Sequence, residues 1–218
     1  MCGGGEGGGG CPIYPTFNCE QDFYWDTGTC SCEQNPSPIL LDVFGNGLNL
    51  TNTENGVTLD INSNGAAEKV SWTSPASDDA WLVLDRNGNG TIDTGKELFG
   101  NFTPQPEAPL GQEKNGFLAL AEYDKASNGG NNDGAITAAD GIFDSLRLWQ
   151  DSNHNGLSEA SELVSLQLAN VATLELTYKT SKYTDQYGNK FRYRAKVKDG
   201  KGTQVGRWMW DVYLVSVP

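Results

Sequence analysis

Oxygen-bearing side chains recur in this sequence at a spacing that suits a hard cation. The stretch DSNHNGLSEASE, residues 151–162, sets Asp151, Asn153 and Asn155 on alternate positions, follows them with Gly156, and closes with Glu159 and Glu162. An all-oxygen cage for calcium asks for ligands at positions 1, 3 and 5, a glycine at 6 for the sharp turn, a backbone carbonyl at 7 (here Leu157), and acids at 9 and 12. Three other stretches carry most of this pattern. DRNGNGTIDTGKE offers Asp85, Asn87, Asn89, Gly90, the Thr91 carbonyl and Asp93, with Lys96 in the twelfth place and Glu97 one residue late. DINSNGAAE offers Asp60, Asn62, Asn64, Gly65, the Ala66 carbonyl and Glu68, with no acid at position 12. DKASNGGNNDGAITAAD ends on Asn131, Asp133, Gly134, the Ala135 carbonyl and Asp140, and its first acid, Asp124, is displaced by an insertion. A fifth stretch, DVFGNGLN at residues 42–49, has Phe44 where a ligand belongs and reads as non-binding or weakly binding.

Asn-Gly and Asp-Gly are also ordinary turn formers, because both residue types tolerate positive φ, so one match alone decides little. Four near-matches within residues 60–162, most of them directly after an apolar run, favour metal loops. The charge agrees. The chain carries −13, but residues 179–207 hold 9 Lys/Arg against Asp185 and Asp199, which leaves −20 on the rest. That balance argues against a nucleic-acid or acidic-membrane partner. It suits bound cations, or head-to-tail contact between copies. Calcium is expected over magnesium, at about three to four ions, because flexible all-protein oxygen cages suit it. Asn at positions 3 and 5 lowers the ligand charge, which goes with affinities toward ~10⁻⁴–10⁻³ M. No catalytic residue is expected: the one histidine, His154, sits inside a loop, and most acids are committed as ligands.

The elements that must position these loops read as short strands and helices. Apolar runs at residues 80–84 and 146–149 have the length of buried strands, and residues 116–123 and 138–145 read as helices, the second with Thr137 as N-cap. FRYRAKVK alternates strictly, DGKG turns the chain, and RWMWDVYLVSV returns, which predicts a C-terminal β-hairpin. The expectation is an α+β fold: short strands and helices around several EF-hand-like calcium loops, with that hairpin and a small disulfide-rich N-terminal arm. Residues 1–36 form the Gly-rich tract and Cys-rich arm, 37–178 the calcium-loop module, and 179–218 the hairpin that completes the same domain. All five cysteines fall in the first 32 residues, which points to disulfides and an oxidising compartment, with Cys2 as the odd thiol. Cys30-x-Cys32 is too close for zinc-ligand pairing. No apolar run is long enough to span a membrane, and no secretory signal is visible.

PILLDVFGNGLNLT, SDDAWLVLDRNGNGTIDTGKELFGNFT, NGFLALAEYD and SLRLWQDSNHNGLSEASEL, in that order, resemble the calcium-binding module of RTX-type secreted bacterial proteins, to which calcium-dependent self-processing modules are related. The resemblance covers about residues 38–178. It implies calcium-dependent folding at Asp60, Asp85, Asn87, Asn89, Asp93, Glu97, Asp151, Asn153, Asn155 and Glu162, with Asp79 of the Asp78-Asp79 pair as an extra ligand. Self-processing members of that family cut an Asp-Pro bond, for which this chain has Ser37-Pro38, so the resemblance does not imply autocleavage here. The function expected is an extracellular calcium-binding structural protein, a self-assembling fibre, filament or surface-layer subunit whose arm adds to a neighbouring copy. The alternative is a calcium-dependent module for surface glycans, with the C-terminal aromatics stacking on sugars.

Overall fold

A computed structural model describes residues 19–20, 22–26, 30–204 and 206–217. The glycine tract, Cys2 and Cys11 lie outside the described residues. Among the described residues fourteen strands are formed: β1 Phe23–Asp26, β2 Ser31–Gln34, β3 Ile39–Leu41, β4 Val57–Leu59, β5 Glu68–Val70, β6 Ala80–Val83, β7 Ala135–Ile136, β8 Arg147–Trp149, β9 Leu163–Ser165, β10 Thr173–Glu175, β11 Lys179–Thr184, β12 Lys190–Lys198, β13 Trp208–Tyr213 and β14 Ser216–Val217. One α-helix, α1 Gly116–Ala121, is found among the described residues.

The fold is therefore nearly all β, and the α+β expectation is corrected. Nine strands make one antiparallel sheet in the order β7-β10-β12-β13-β3-β6-β8-β9, with β11 added alongside β12. β14, β5 and β4 form a second sheet, and β1 with β2 a separate hairpin. The EF-hand-like reading falls with the helices, since the loops leave strands and no loop among the described residues lies between two α-helices. The helix expected over residues 138–145 is a series of tight turns ending in one 3-10 turn, Phe143–Ser145. The cause is Asp140. Its carboxylate accepts N–H bonds from Asn131 and Thr137, which holds it to the preceding loop, and Gly141 follows it directly. The segment at 116–123 does form a helix, shortened to six residues and capped by the Asn115 side chain on Leu118 N–H.

The continuous apolar runs of β3, β6 and β8 follow from coverage of the large sheet on both faces. Alternate residues feed two separate cores. Ile39, Leu41, Ala80, Leu82 and Leu148 join Phe117 and Leu120 of α1 on one side. Leu40, Trp81, Val83 and Trp149 join Trp72 and the β4–β5 residues Val57, Leu59 and Val70 on the other. Trp72 packs on Trp81 at 4.5 Å and edge-on to Trp149 at 5.3 Å. Burying one such ring contributes on the order of 4–6 kcal/mol before its entropy cost. The second core thus lies directly beneath the ends from which the loops of residues 60, 85 and 151 emerge.

Candidate metal centres

The loops are built by short-range hydrogen bonds that the Asx residues themselves dictate. In four of them the third-position side chain accepts from the N–H two residues on, and so does the fifth. Asn62, Asn87, Asn131 and Asn153 accept from residues 64, 89, 133 and 155, and these in turn accept from Ala66, Thr91, Ala135 and Leu157. Each leading aspartate accepts from the glycine N–H at position 6: Asp60 from Gly65, Asp85 from Gly90, Asp124 from Gly134, and Asp151 from Gly156. Those glycines all have positive φ, which lets the chain double back. An oxygen spent on one N–H keeps a second lone pair. The curl therefore folds each loop's polar side chains back over its own backbone.

The closing acid is where count and geometry part. Glu162 accepts from Ser152 and Asn153 N–H at one oxygen and from Glu159 N–H at the other, tying the ends of its loop together. Glu97 does the same for the Asp85 loop, accepting from Arg86 and Asp93 N–H, although it stands one residue late. Asp140 closes the Asp124 loop on Asn131 and Thr137. Asp93 and Glu159 each receive two asparagine amides, from Asn87 and Asn89 and from Asn153 and Asn155. The Asn89 amide, first among several donors, holds Asp93 below the usual carboxylate range, and the Asn155 amide does so for Glu159.

The loops are not independent. Ile92 N–H of the Asp85 loop donates to the Ser158 hydroxyl of the Asp151 loop at 2.6 Å, and Gly95 N–H donates to the Asp60 carbonyl at 2.9 Å. Trp72 Nε1 donates to Asp151 Oδ2 at 2.9 Å, so the second core reaches the leading ligand of a loop directly.

Sequence reasoning missed one centre. The Asp42 loop reads in sequence as non-binding or weakly binding because Phe44 stands at its third position, and Phe44 is indeed exposed. The structure brings Asp42, Asp78 and Asp79 together, with one oxygen of each within 4.8 Å of the others, a geometry that can hold a metal ion. Asp42 accepts from Gly45, Asn46 and Gly47 N–H, and Asp78 accepts from Phe44 N–H and the Asn46 amide. Asp79, the extra ligand expected from the sequence, is buried. Its Oδ2 accepts from Asn49 N–H and the Ser77 hydroxyl, whereas Oδ1 has no hydrogen-bond partner. Burial, with the Asp78 and Asp42 charges, pushes its carboxyl up to about 7. The Asp78-Asp79 pair ahead of β6 reads from the sequence as an extra ligand; what the sequence does not reveal is that Asp42 is its neighbour in space.

With this geometry in place the relatives can be read. The SPM domain family matches residues 39–214, a span that holds all five loops and both cores. The chain belongs to the SPM domain family. It is 36% identical over 181 residues to the iron-regulated protein FrpA of Neisseria meningitidis serogroup C. That alignment covers 82% of this chain and 15% of FrpA, so the chain spans a small part of its relative's length. The SPM match begins at β3, and the hairpin of β1 and β2 lies ahead of it. Cys19, ahead of that hairpin, forms a disulfide with Cys32 of β2, and Cys30 is disulfide-bonded as well. At the junction, Ser37 is buried and its hydroxyl donates to Asp211 Oδ2 at 3.3 Å. No helix among the described residues is long and apolar enough to cross a membrane.

Proposed function

We propose that this SPM domain is a calcium-braced structural module of a secreted or cell-surface protein, its loops binding calcium as fixed struts. The observation that carries the reading is a buried carboxylate oxygen without a donor, Asp79 Oδ1, set among two further carboxylates. A buried carboxylate oxygen left without a donor is costly, and a cation at that point offsets the cost. The expected RTX-type calcium module agrees with the FrpA relationship, and the disulfide agrees with an oxidising compartment. A structural role is preferred to an enzymatic one, and Ser37 in place of aspartate disfavours self-processing. Fibre or surface-layer assembly and glycan binding are finer readings with less support. The described arm residues pack on their own chain, through Lys190 on Asp22 and Gln34 on Tyr213. Trp208 and Trp210, the aromatics offered to sugars, are half-buried and covered by the Arg194 guanidinium at 4.6 and 5.2 Å.

Calcium titration by calorimetry, paired with thermal unfolding in calcium and in chelator, tests the proposal. The expected result is heat of binding and a stability that rises with calcium, by about 2.7 kcal/mol per site at a hundredfold excess over Kd, seen as a higher unfolding temperature. Identical unfolding in calcium and chelator, with no binding heat at millimolar calcium, would sink it.

A further inference from the structure

The Asp60 loop closes differently from its neighbours. Counted from Asp60, Glu68 stands at position 9, where Asp93 and Glu159 of the other loops receive their asparagine amides. Glu68 does not take that part. Its Oε2 accepts from Ile61 N–H, the second residue of the loop, as Glu162 accepts from Ser152 and Glu97 from Arg86. Glu68 thus does the work of the missing twelfth-position acid and leaves the ninth place open. The asparagine amides of this loop turn instead to the arm. Asn64 Nδ2 donates to Asp26 Oδ2 at 2.7 Å, and Asn62 Nδ2 donates to the Tyr24 hydroxyl at 2.6 Å. Both arm residues belong to β1, ahead of the span matched by the SPM family.

A second observation points to a ligand at this spot. Glu68 is 2% exposed, and its Oε1 has no hydrogen-bond partner. Asp60 and Asp26 are the carboxylates whose charges press on it. Asp26 is itself 2% exposed. A buried, undonated oxygen therefore belongs to a loop whose asparagine amides are bonded to a second buried acid, Asp26, and to the Tyr24 hydroxyl. Anions so placed call for a divalent cation rather than for more hydrogen bonds.

We propose that Asp26 of the disulfide-linked arm is a calcium ligand of the Asp60 loop, so that calcium at this one site fastens the arm to the body. The inference rests on the calcium reading of the loops, and it deepens it. The arm is then a calcium-dependent clasp: its contacts through Gln34 and Lys190 place it, and the shared ion locks it.

The test uses the full chain with its disulfides intact and calcium alone as the probe. Calorimetric titration is combined with hydrogen exchange of residues 22–34, for the wild type, Asp26→Asn and Glu68→Gln. Asparagine keeps an acceptor for Asn64, so docking in chelator is preserved while ligand charge is lost. Expected are calcium-dependent protection of the arm in the wild type, and in both variants one site weakened by about tenfold or lost, with that protection gone. An arm equally protected in calcium and chelator overturns the proposal. So does an Asp26→Asn protein that binds calcium with wild-type stoichiometry and affinity. A wild type that binds no calcium at all would overturn the parent reading instead, which keeps the two failures distinct. Should Glu68→Gln fail to fold, by loss of its near-ultraviolet dichroism, Asp26→Asn alone carries the decision, because it keeps the shape of the side chain and an acceptor for Asn64.

Discussion

At the scale of single residues, two positions separate local geometry from crowding. Gly90 and Gly156 hold the same place in their loops, with φ of +88° and +72°. A Cβ on Gly90 would meet nothing within 4 Å, whereas one on Gly156 would come within 2.8 Å of Val57 Cβ in the second core. Gly90→Ala should cost about 1 kcal/mol, the strain of a left-handed alanine, and Gly156→Ala distinctly more, toward about 3 kcal/mol. Urea unfolding of the two variants side by side checks this; equal costs would refute it. Asp211 supplies a pH prediction. It is fully buried, accepting from Gly116 N–H at 2.7 Å and the Ser37 hydroxyl, and it faces Arg192 and Glu113. Burial, the largest influence, pushes its carboxyl up to about 7, against the downward pull of the Gly116 bond, Arg192 and the Ser37 bond. A folded value above that of the unfolded chain (about 3.9) means that the fold holds the proton more tightly. Its contribution is full below pH ~4 and is lost as pH rises to about 7. Glu68 and Asp79 are raised into the same window, so the measurement is a difference. The stability of the wild type minus that of Asp211→Asn should fall between pH ~4 and ~7 and stay level above; a flat difference would contradict it.

At the scale of elements, the loops were legible because an Asx side chain bonding two residues ahead needs no partner from elsewhere. The periodic pattern of β12 and the apolar runs of β6 and β8 were legible for the same local reason. Two things were not. The helix expected at residues 138–145 yielded to Asp140, whose carboxylate is claimed by Asn131, a contact that helical periodicity does not encode. The partners Asp78 and Asp79 for Asp42, and Asp26 for Asn64, come from 36 or more residues away and exist only once the sheets are assembled. The coupling of the Trp72–Trp81–Trp149 core to the Asp151 loop is of this kind too. It gives an element-level prediction. Calcium binding should change the tryptophan emission, and Trp72→Phe should diminish that change while weakening the Asp151 site. Losing a hydrogen bond to a charged acceptor costs about 1.5–3 kcal/mol, to which the smaller ring adds a packing loss. Fluorescence titration with calcium decides it, and an undiminished signal in Trp72→Phe would mean that the core does not sense the loop.

At the scale of the whole molecule, the nine-stranded sheet and the arm differ in what holds them. The sheet is covered on both faces by two cores that include Trp72, Trp81, Trp149, Phe99 and Phe117, all fully buried. The arm has a two-stranded hairpin, an architecture that is marginal in water on its own. Its order therefore depends on covalent links and on docking. The Cys19–Cys32 bridge spans 13 residues, a loop closure that removes about 3 kcal/mol of entropy from the open chain. Reduction should release the arm and spare the body: amides of residues 22–34 should lose at least about tenfold in exchange protection, a loss of roughly 1.4 kcal/mol or more. Residues 39–214, held by their own cores, should keep their unfolding temperature in calcium. Hydrogen exchange with and without reductant, read beside a thermal scan, makes the comparison. A body that unfolds many degrees lower after reduction would show that arm and sheet form one cooperative unit, and that the disulfides brace far more than the hairpin they close.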